Sequence, residues 1–313
     1  MRDPVWEREK ATWPNHELSR FVAAGGMTWH VQQAGQGPIM LLIHGTGAST
    51  HSWRSVLPLL ARDYTVVAVD LPGHGFTDSV AGAARSARRA SIEGMSDCLA
   101  ALLQALQIRP DYCVGHSAGA VILCRLALDR HVAPRVIISL NGAFLPLEGA
   151  AGVLFSPIAR LMASGSLVPR LLAWSAGSRA NVARLIEGTG SRLDAEGIDL
   201  YARLVRRPQH VAGALEMMGH WDLYRFERDL PKLETSLALI VADDDRTVPP
   251  SQAVAVKRLV AGAQIYRLPG LGHLAHEEQP VLVAERIRGI CRTWAPSEPA
   301  DASKDRCDPP SVG

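Results

Sequence analysis

The segment "DYCVGHSAGAVILCRLALDRH" at residues 111–131 places a serine between two glycines, where the character of the chain changes. The residues before Ser117 are apolar and compact, as in a strand that is buried on both faces. The Ala- and Leu-rich residues after it are typical of a helix. "GHSAG" matches G-x-S-x-G, in which the glycines permit a strained turn that exposes the serine hydroxyl above a sheet. The pentapeptide alone can be a chance glycine turn, but its place between strand and helix favours a functional serine.

The same strand pattern recurs on both sides of this segment. Short apolar runs end at Gly, Asp or Asn in "IMLLIHG" (39–45), "YTVVAVDLPGHG" (64–75), "RVIISLNG" (135–142) and "LALIVADDD" (237–245). "MTWHVQQAG" alternates more weakly, and helical spacing of apolar residues separates several of the runs. Repeated strand–helix units predict an α/β fold with a mostly parallel sheet that helices cover on both faces.

The strand–helix alternation stops after Asn141 and returns near residue 237. Residues 143–228 are rich in Leu, Ala, Arg and Gly and show no convincing strand. We therefore predict a core in two parts, 1–142 and 229–295, with a helical cap (lid) at 143–228 between them. The Pro-, Ser- and Asp-rich tail at 296–313 has little to bury and is predicted to be disordered.

Composition excludes several classes of protein. The chain has 313 residues, 47% of them hydrophobic, and a net charge of +2, which gives no reason to expect nucleic acid as a partner. No apolar run approaches the roughly 18 residues of a membrane span, and the charged N-terminus does not resemble a signal peptide. The five cysteines are scattered, without a C-x-x-C pair. We therefore expect reduced thiols in a cytoplasmic protein, with no metal site and no cofactor.

A nucleophilic serine needs a general base, and "LPGLGHLAHEEQP" (268–280) offers two histidines late in the chain. His273 follows Gly272 directly after the last predicted strand, where a short loop can place its ring over the strand ends. His276 lies nearer the start of a helix and is interpreted as a surface or capping residue. The other nine histidines are interpreted mostly as solvated loop residues.

The base in turn needs an acid. Where the serine lies in a strand–turn–helix of this kind, the acid follows it in the sequence and precedes the histidine. "VADDDRTVPP" (241–250) offers three aspartates directly after an apolar run. Asp243 ends the run and is interpreted as its cap, whereas Asp245 begins the pattern D-x-x-V-P and is predicted to be the acid, with Asp244 as the alternative. Three solvated turn residues would explain the composition but not the position. Asn141 occupies the other strand end where such an acid can lie, but an amide cannot serve.

Acyl transfer also needs backbone N–H groups that stabilise an oxyanion. "HGTGAS" (44–49) follows the third predicted strand, where the loop that supplies them belongs. The main-chain N–H groups of Thr46 and Ala118 are the predicted donors. A phosphate site is the alternative for a glycine-rich loop, but neither G-x-x-x-x-G-K-[ST] nor G-x-G-x-x-G is present.

With "HGTG", "DLPGHGFTD", "GHSAG", "DRTVPP" and "GLGH" in this order, the chain resembles the α/β-hydrolases over about residues 20–295. This resemblance implies an eight-stranded sheet with a helical cap after the sixth strand. "WPNHELSRFVAAGGMTWHVQQAGQGP" and "LLIHGTGASTHSWR" are similar, further, to the BchO-type magnesium-chelatase accessory proteins of bacteriochlorophyll synthesis. Thr12 stands where that family often has Asp. The second resemblance implies a role in photosynthetic pigment synthesis, near magnesium insertion into protoporphyrin IX, but names no reaction.

Three functions are compatible with these residues. The first is a serine hydrolase of an ester-like bond, for example in a tetrapyrrole, with Ser117 as nucleophile, His273 as base and Asp245 as acid. The second is a non-catalytic accessory protein that carries a porphyrin or docks on magnesium chelatase. The third is haloperoxidase or carbon–carbon bond chemistry with the same residues. Dehalogenase chemistry is disfavoured, because it needs a carboxylate at position 117.

The predicted cap contains candidate substrate residues. Arg160, Arg170 and Trp174 lie among Leu-rich sequence with few acids. Amphipathic lid helices with solvated arginines are the simpler interpretation. The more specific interpretation is a cap with an apolar face that accepts a flat ligand, while the arginines bind the carboxylates of this ligand. A porphyrin has both features. Such a face could also rest on a membrane surface.

Overall fold

The computed structural model describes residues 4–78, 88–146 and 177–295. Its strands are β1 Ser19–Ala24, β2 Met27–Ala34, β3 Ile39–Ile43, β4 Thr65–Val69, β5 Tyr112–His116, β6 Val136–Leu140, β7 Ser236–Ala242 and β8 Gln264–Leu268. They form one sheet in the order β1-β2-β4-β3-β5-β6-β7-β8. β2 pairs antiparallel with β1 and β4, and all other pairs are parallel. The predicted eight-stranded, mostly parallel sheet is confirmed; the apolar runs did not indicate the edge strand β1.

Helices connect most of the strands. In chain order the α-helices of the described residues are α1 Pro4–Glu9, α2 Val56–Leu60, α3 Ile92–Leu106, α4 Ala118–Leu128, α5 Arg179–Gly188, α6 Ala195–Val205, α7 Pro208–Gly219, α8 Leu223–Asp229, α9 Ser251–Leu259, α10 Ala275–Glu278 and α11 Pro280–Thr293. None of these helices is both long enough and apolar enough to cross a bilayer.

The central strands are apolar throughout because each face of the sheet has its own core. In β3, Leu41 and Ile43 belong to one core, together with residues of α3 and α4. Met40 and Leu42 point to the opposite core, with residues of α2 and α11. Successive side chains of a strand alternate between faces, and each fully buried aliphatic side chain stabilises the fold by about 1.5–3 kcal/mol. Burial on both faces therefore explains the unbroken apolar runs.

Helices α5 to α8 lie between β6 and β7 in the chain, where the sequence predicted helices without strands. The limits of the cap at residues 143 and 228 stay a prediction, as does the disorder of the tail. Residues 147–176 lie outside the described part of the chain, and with them the candidate substrate residues Arg160, Arg170 and Trp174.

Two glycines allow α4 to begin directly at the end of β5. A Cβ atom on Gly115 would lie 2.4 Å from the Ala120 nitrogen, and one on Gly119 would lie 2.3 Å from the Ile43 carbonyl oxygen. Both distances are shorter than any real contact of a Cβ atom, so only glycine fits at either position. Ser117 between them has φ 50° and ψ −116°, a conformation that is strained for any residue with a side chain. The predicted strand–turn–helix around "GHSAG" is confirmed.

This close approach predicts a large difference between two Gly→Ala substitutions. Gly119→Ala should lower the free energy of unfolding by about 3 kcal/mol, because the new methyl group meets rigid backbone. Gly188→Ala is the matched control, since a Cβ atom there meets nothing within 4 Å. It should change stability by less than about 1 kcal/mol, or raise it, since alanine favours helix. Urea denaturation measures both, and equal effects would contradict the tight contact.

Candidate active site

Asp245 and His273 meet above the carboxyl ends of β7 and β8. The His273 ring donates from Nδ1 to Asp245 Oδ2 over 2.7 Å. The other carboxylate oxygen, Oδ1, accepts the main-chain N–H groups of Thr247 and Val248 at 2.8 and 2.9 Å. The side chains of the pair are only 8% and 1% exposed, so water competes little for their hydrogen bond. The contact holds the proton on Nδ1 and leaves Nε2 as the free lone pair of the ring.

The three consecutive aspartates have different partners. Asp243 forms an ion pair with Arg267, with Nη2 and Oδ1 2.7 Å apart. Asp244 is exposed, and its main-chain N–H donates to the Leu271 carbonyl. Within the described residues, therefore, only Asp245 of the three contacts a histidine.

Ser117 lies at the strained turn with a side chain that has little contact with solvent. The residue is 9% exposed, and its main-chain N–H donates to the Leu140 carbonyl at 2.9 Å. Among the hydrogen bonds of the described residues, none joins the Ser117 hydroxyl to the His273 ring. The two residues are connected through His116, whose ring centroid lies 4.7 Å from that of His273. Catalytic hydrogen bonds of this kind are often long before substrate binds.

The main-chain carbonyl of His273 is held by two buried donors. His116 Nε2 donates to it over 2.9 Å. Asn141 Nδ2 donates to it over 2.9 Å and to the Gly272 carbonyl over 3.2 Å. Asn141 Oδ1 in turn accepts the Ala242 N–H at 2.8 Å, so the amide joins the ends of β6 and β7 to the loop that carries His273. The residue that the sequence excluded as the acid therefore positions the candidate base.

The segment at residues 189–191, between α5 and α6, lies between two loops. One follows β7 and carries Asp245, and the other follows β8 and carries His273. The Thr189 carbonyl accepts the main-chain N–H groups of Arg246, at 3.1 Å, and His273, at 3.4 Å. Ser191 is fully buried, and its hydroxyl accepts the Leu274 N–H over 2.8 Å. Part of the predicted cap thus fixes the relative position of the two loops.

The predicted oxyanion loop, residues 44–49, packs directly on the turn at Ser117. A Cβ atom on Gly45 would lie 2.8 Å from His116 Nδ1 and 3.0 Å from Ser117 Cβ. The N–H groups of Thr46 and Ala118 have no acceptor in the described parts of the chain. Unpaired donors beside a serine are what stabilisation of an oxyanion requires.

A buried aspartate holds the far end of this loop. Asp70 Oδ1 accepts the Thr50 N–H at 2.6 Å, and Oδ2 lies 2.8 Å from His30 Nδ1. Burial by itself would raise the pKa of Asp70, but His30 and main-chain N–H groups hold the pKa well below its ordinary value. The carboxylate is therefore ionised and able to accept all of these hydrogen bonds.

The sequence profile described as "Alpha/beta hydrolase family" matches residues 40–286. The chain belongs to the alpha/beta hydrolase family. It is 36% identical, over 91% of its length and 96% of the relative's, to the magnesium-chelatase 30 kDa subunit of Rhodobacter capsulatus. It is 29% identical to the pyrrolizixenacetamide deacetylase of Xenorhabdus hominickii, over 79% and 88% of the two chains. Both resemblances seen in the sequence motifs are confirmed.

Solved structures show the same fold. An alpha/beta hydrolase fold protein from Burkholderia ambifaria superposes with a TM-score of 0.71 at 22% identity, covering 86% of this chain and 97% of that one. At this identity the likeness shows the fold and carries nothing about the reaction.

For this alpha/beta hydrolase, sequence reasoning was wrong about the burial of most histidines other than His273. His276 is not at the surface: it is fully buried, with its ring 4.5 Å from that of His116 and 4.7 Å from that of Trp53. Burial lowers the pKa of His276 to about 3, so the ring is neutral. Of the nine histidines interpreted as mostly solvated, six are buried, namely His30, His44, His51, His74, His116 and His210. No three His, Cys, Asp or Glu residues of the described chain are arranged to bind a metal.

The role of Asn141 predicts a pH-dependent loss of stability in Asn141→Asp. The residue is 3% exposed, and the substitution places a carboxylate oxygen where an N–H₂ group faced two carbonyls. We expect the free energy of unfolding to fall by about 3 kcal/mol at pH 7. Burial raises the folded-state pKa of such a carboxyl, so the penalty is present above that pKa. It disappears as pH falls toward the unfolded-state pKa, because the protonated acid can donate.

Urea denaturation of variant and wild type between pH 4 and pH 8 measures this difference. Asn181→Asp makes the same chemical change in the first turn of α5, where a negative charge is favourable, and should cost nothing. A loss in Asn141→Asp that is the same at every pH would contradict the donor role of Asn141.

Proposed function

We propose that the protein is a serine hydrolase that cleaves an ester-like bond through Ser117, His273 and Asp245. The observation that carries the proposal is the 2.7 Å hydrogen bond between Asp245 and His273, whose ring packs on His116, the residue directly before the serine of a strained strand-to-helix turn. In a catalytic triad such an acid fixes the tautomer of the histidine, so that the other ring nitrogen can accept the proton of the serine. The similarity to a deacetylase supports acyl chemistry by analogy.

In the first step the Ser117 oxygen attacks the carbonyl carbon of the substrate. His273 Nε2 accepts the hydroxyl proton, and the Asp245 carboxylate stabilises the imidazolium that forms. The electron pair of the carbonyl double bond moves to the oxygen, which the N–H groups of Thr46 and Ala118 stabilise.

In the second step the tetrahedral intermediate collapses and the bond to the leaving alcohol breaks. The alcohol oxygen takes the proton from His273, and an acyl group stays on Ser117. Water then attacks the acyl group with His273 as base again, which releases the acid and restores the serine.

The substrate we propose is a tetrapyrrole intermediate of bacteriochlorophyll synthesis near the magnesium-chelatase step. The similarity to a magnesium-chelatase subunit over 91% of the chain supports this setting. Arg160, Arg170 and Trp174 are the proposed contacts for its carboxylates and flat ring. Association with chelatase and peripheral membrane contact through the cap belong to the same proposal.

Asp245→Asn should lower hydrolysis of 4-nitrophenyl acetate by about 10⁴-fold. The N–H groups of Thr247 and Val248 hold the amide oxygen, so the new N–H₂ group faces His273 Nδ1. A donor there forces the proton onto Nε2, which can then no longer accept a proton from Ser117. The measurement is kcat/KM of the purified variant.

Asp243→Asn is the matched control, since it loses only a partly exposed ion pair with Arg267 and should keep nearly full activity. Covalent labelling of wild-type Ser117 by a fluorophosphonate, and its loss in Ser117→Ala, checks the nucleophile in the same preparation. Equal, mild losses in both aspartate variants would refute the assignment of the acid.

A second candidate function is that of a non-catalytic accessory protein. The observation that favours it is the name of the relative in Rhodobacter capsulatus, which describes a subunit of magnesium chelatase. In this case the fold would present a binding surface, and the hydroxyl of Ser117 would have no cellular role.

Complementation of a deletion strain separates the two candidates. Ser117→Ala removes one atom at a turn that main-chain contacts hold, so we expect a folded and normally abundant protein. If hydrolysis is the cellular function, this variant should fail to restore pigment. Full restoration by Ser117→Ala, with failure of an Arg160→Gln, Arg170→Gln double variant, would establish the accessory function instead.

A further inference from the structure

Helix α7, between β6 and β7, places a buried histidine against the oxyanion loop. His210 is 3% exposed, and its Nε2 lies 3.0 Å from the Gly47 carbonyl oxygen. On the other side of the ring, the Gly75 N–H donates to Nδ1 over 3.1 Å. The ring thus lies between the oxyanion loop and the loop after β4.

The two contacts fix the tautomer of His210. A main-chain N–H can only donate, so Nδ1 accepts from Gly75 and the ring proton is on Nε2. Nε2 therefore donates to Gly47, and both ring nitrogens are used. Burial lowers the pKa of His210 to about 4, so the ring is neutral at physiological pH and this arrangement persists.

Two further contacts hold α7 in place against the neighbouring loops. A Cβ atom on Gly213 would lie only 2.3 Å from the Gly73 carbonyl oxygen, so the helix and the loop after β4 touch through their backbones. Further along, the Thr46 hydroxyl donates to Met217 Sδ over 3.6 Å. The position of His210 relative to the oxyanion loop is therefore set by rigid packing.

The part of the loop that His210 contacts is a tight turn. The Ala48 N–H donates to the Gly45 carbonyl over 3.2 Å, and Gly47 has φ 76°. A glycine with positive φ at the third position is typical of a type II turn, which places Thr46 at the second position. No other hydrogen-bond donor to the Gly47 carbonyl is present among the described residues.

We propose that His210 is a positioning residue that fixes the Gly47 peptide and so aims the Thr46 N–H at the oxyanion, which makes docking of α7 a condition for catalysis. This inference rests on the proposed serine hydrolase. Without the Nε2 donor, the Gly47 carbonyl loses its partner and the turn can rotate. The substrate would still bind, but the oxyanion would lose part of its stabilisation.

Two substitutions test the two hydrogen bonds of the ring one at a time, because each replaces one ring nitrogen by an amide atom at a similar position. In His210→Asn the amide oxygen takes the place of Nδ1 and keeps the contact with Gly75, but nothing reaches Gly47. In His210→Gln the amide nitrogen takes the place of Nε2 and can donate to Gly47. We expect His210→Asn to lose about 10²-fold in kcat toward 4-nitrophenyl acetate with KM within a factor of two. His210→Gln should stay within about tenfold of wild type.

Each kcat is expressed per active site labelled to completion with a fluorophosphonate, so that unfolded molecules do not count. If His210→Asn does not fold, His210→Leu replaces it with the same expected loss. Equal kcat values for the donor-lacking variant and His210→Gln, or a change confined to KM, would overturn the positioning role. Esterase activity that survives in Ser117→Ala would instead refute the serine hydrolase itself, so the two failures are distinguishable.

Discussion

At the centre of the molecule, backbone touches backbone where a side chain would not fit. Gly115 lies against the start of α4 and Gly119 against the end of β3, which forces Ser117 into its strained conformation. The strain is held because α4 is packed against one face of the sheet, within a single apolar core that leaves the helix no alternative position. The oxyanion loop then packs on this turn through Gly45, and His116 reaches the carbonyl of His273 from it. The oxyanion loop and the loop that carries His273 are thus both in contact with this junction.

A second Ser–His–Asp arrangement in the protein shows why distances alone do not make an active site. His30 lies between Asp70, at 2.8 Å, and the Ser19 hydroxyl, at 2.9 Å. Ser19, however, has the ordinary extended backbone of a strand (φ −81°, ψ 134°), and Gln32 also donates to its hydroxyl. No helix begins at this serine. The array braces β1, β2 and the oxyanion loop, whereas Ser117 combines strain, a helix N-terminus and unpaired N–H groups.

Much of the fold could be predicted from the sequence, because strands buried on both faces are unbroken apolar runs and the motifs stand at their ends. For the same reason Ser117, Asp245 and His273 could be predicted to lie at one edge of the sheet. Asp245 and His273 make contact there. The buried histidines could not be predicted in this way. Hydropathy treats histidine as polar, and nothing in a linear pattern shows that carbonyl and N–H groups of distant loops lie within reach of one ring. Asn141, His116 and His210 each use such groups, and their contacts exist only after the loops have packed.

The segment at Thr189–Ser191 has a consequence for how the protein folds. It bonds to the loop after β8 across 83 residues of sequence, and it also holds the loop after β7. The pairing of β6 with β7 spans the same insertion, so both sets of contacts must overcome the entropy of closing this part of the chain. Pairing of the two strands brings the ends of the insertion together, which lowers the entropic cost of docking Thr189–Ser191 on the loops after β7 and β8. We therefore expect the sheet and this part of the insertion to form cooperatively, so that the loops carrying Asp245 and His273 take their final positions in the same step.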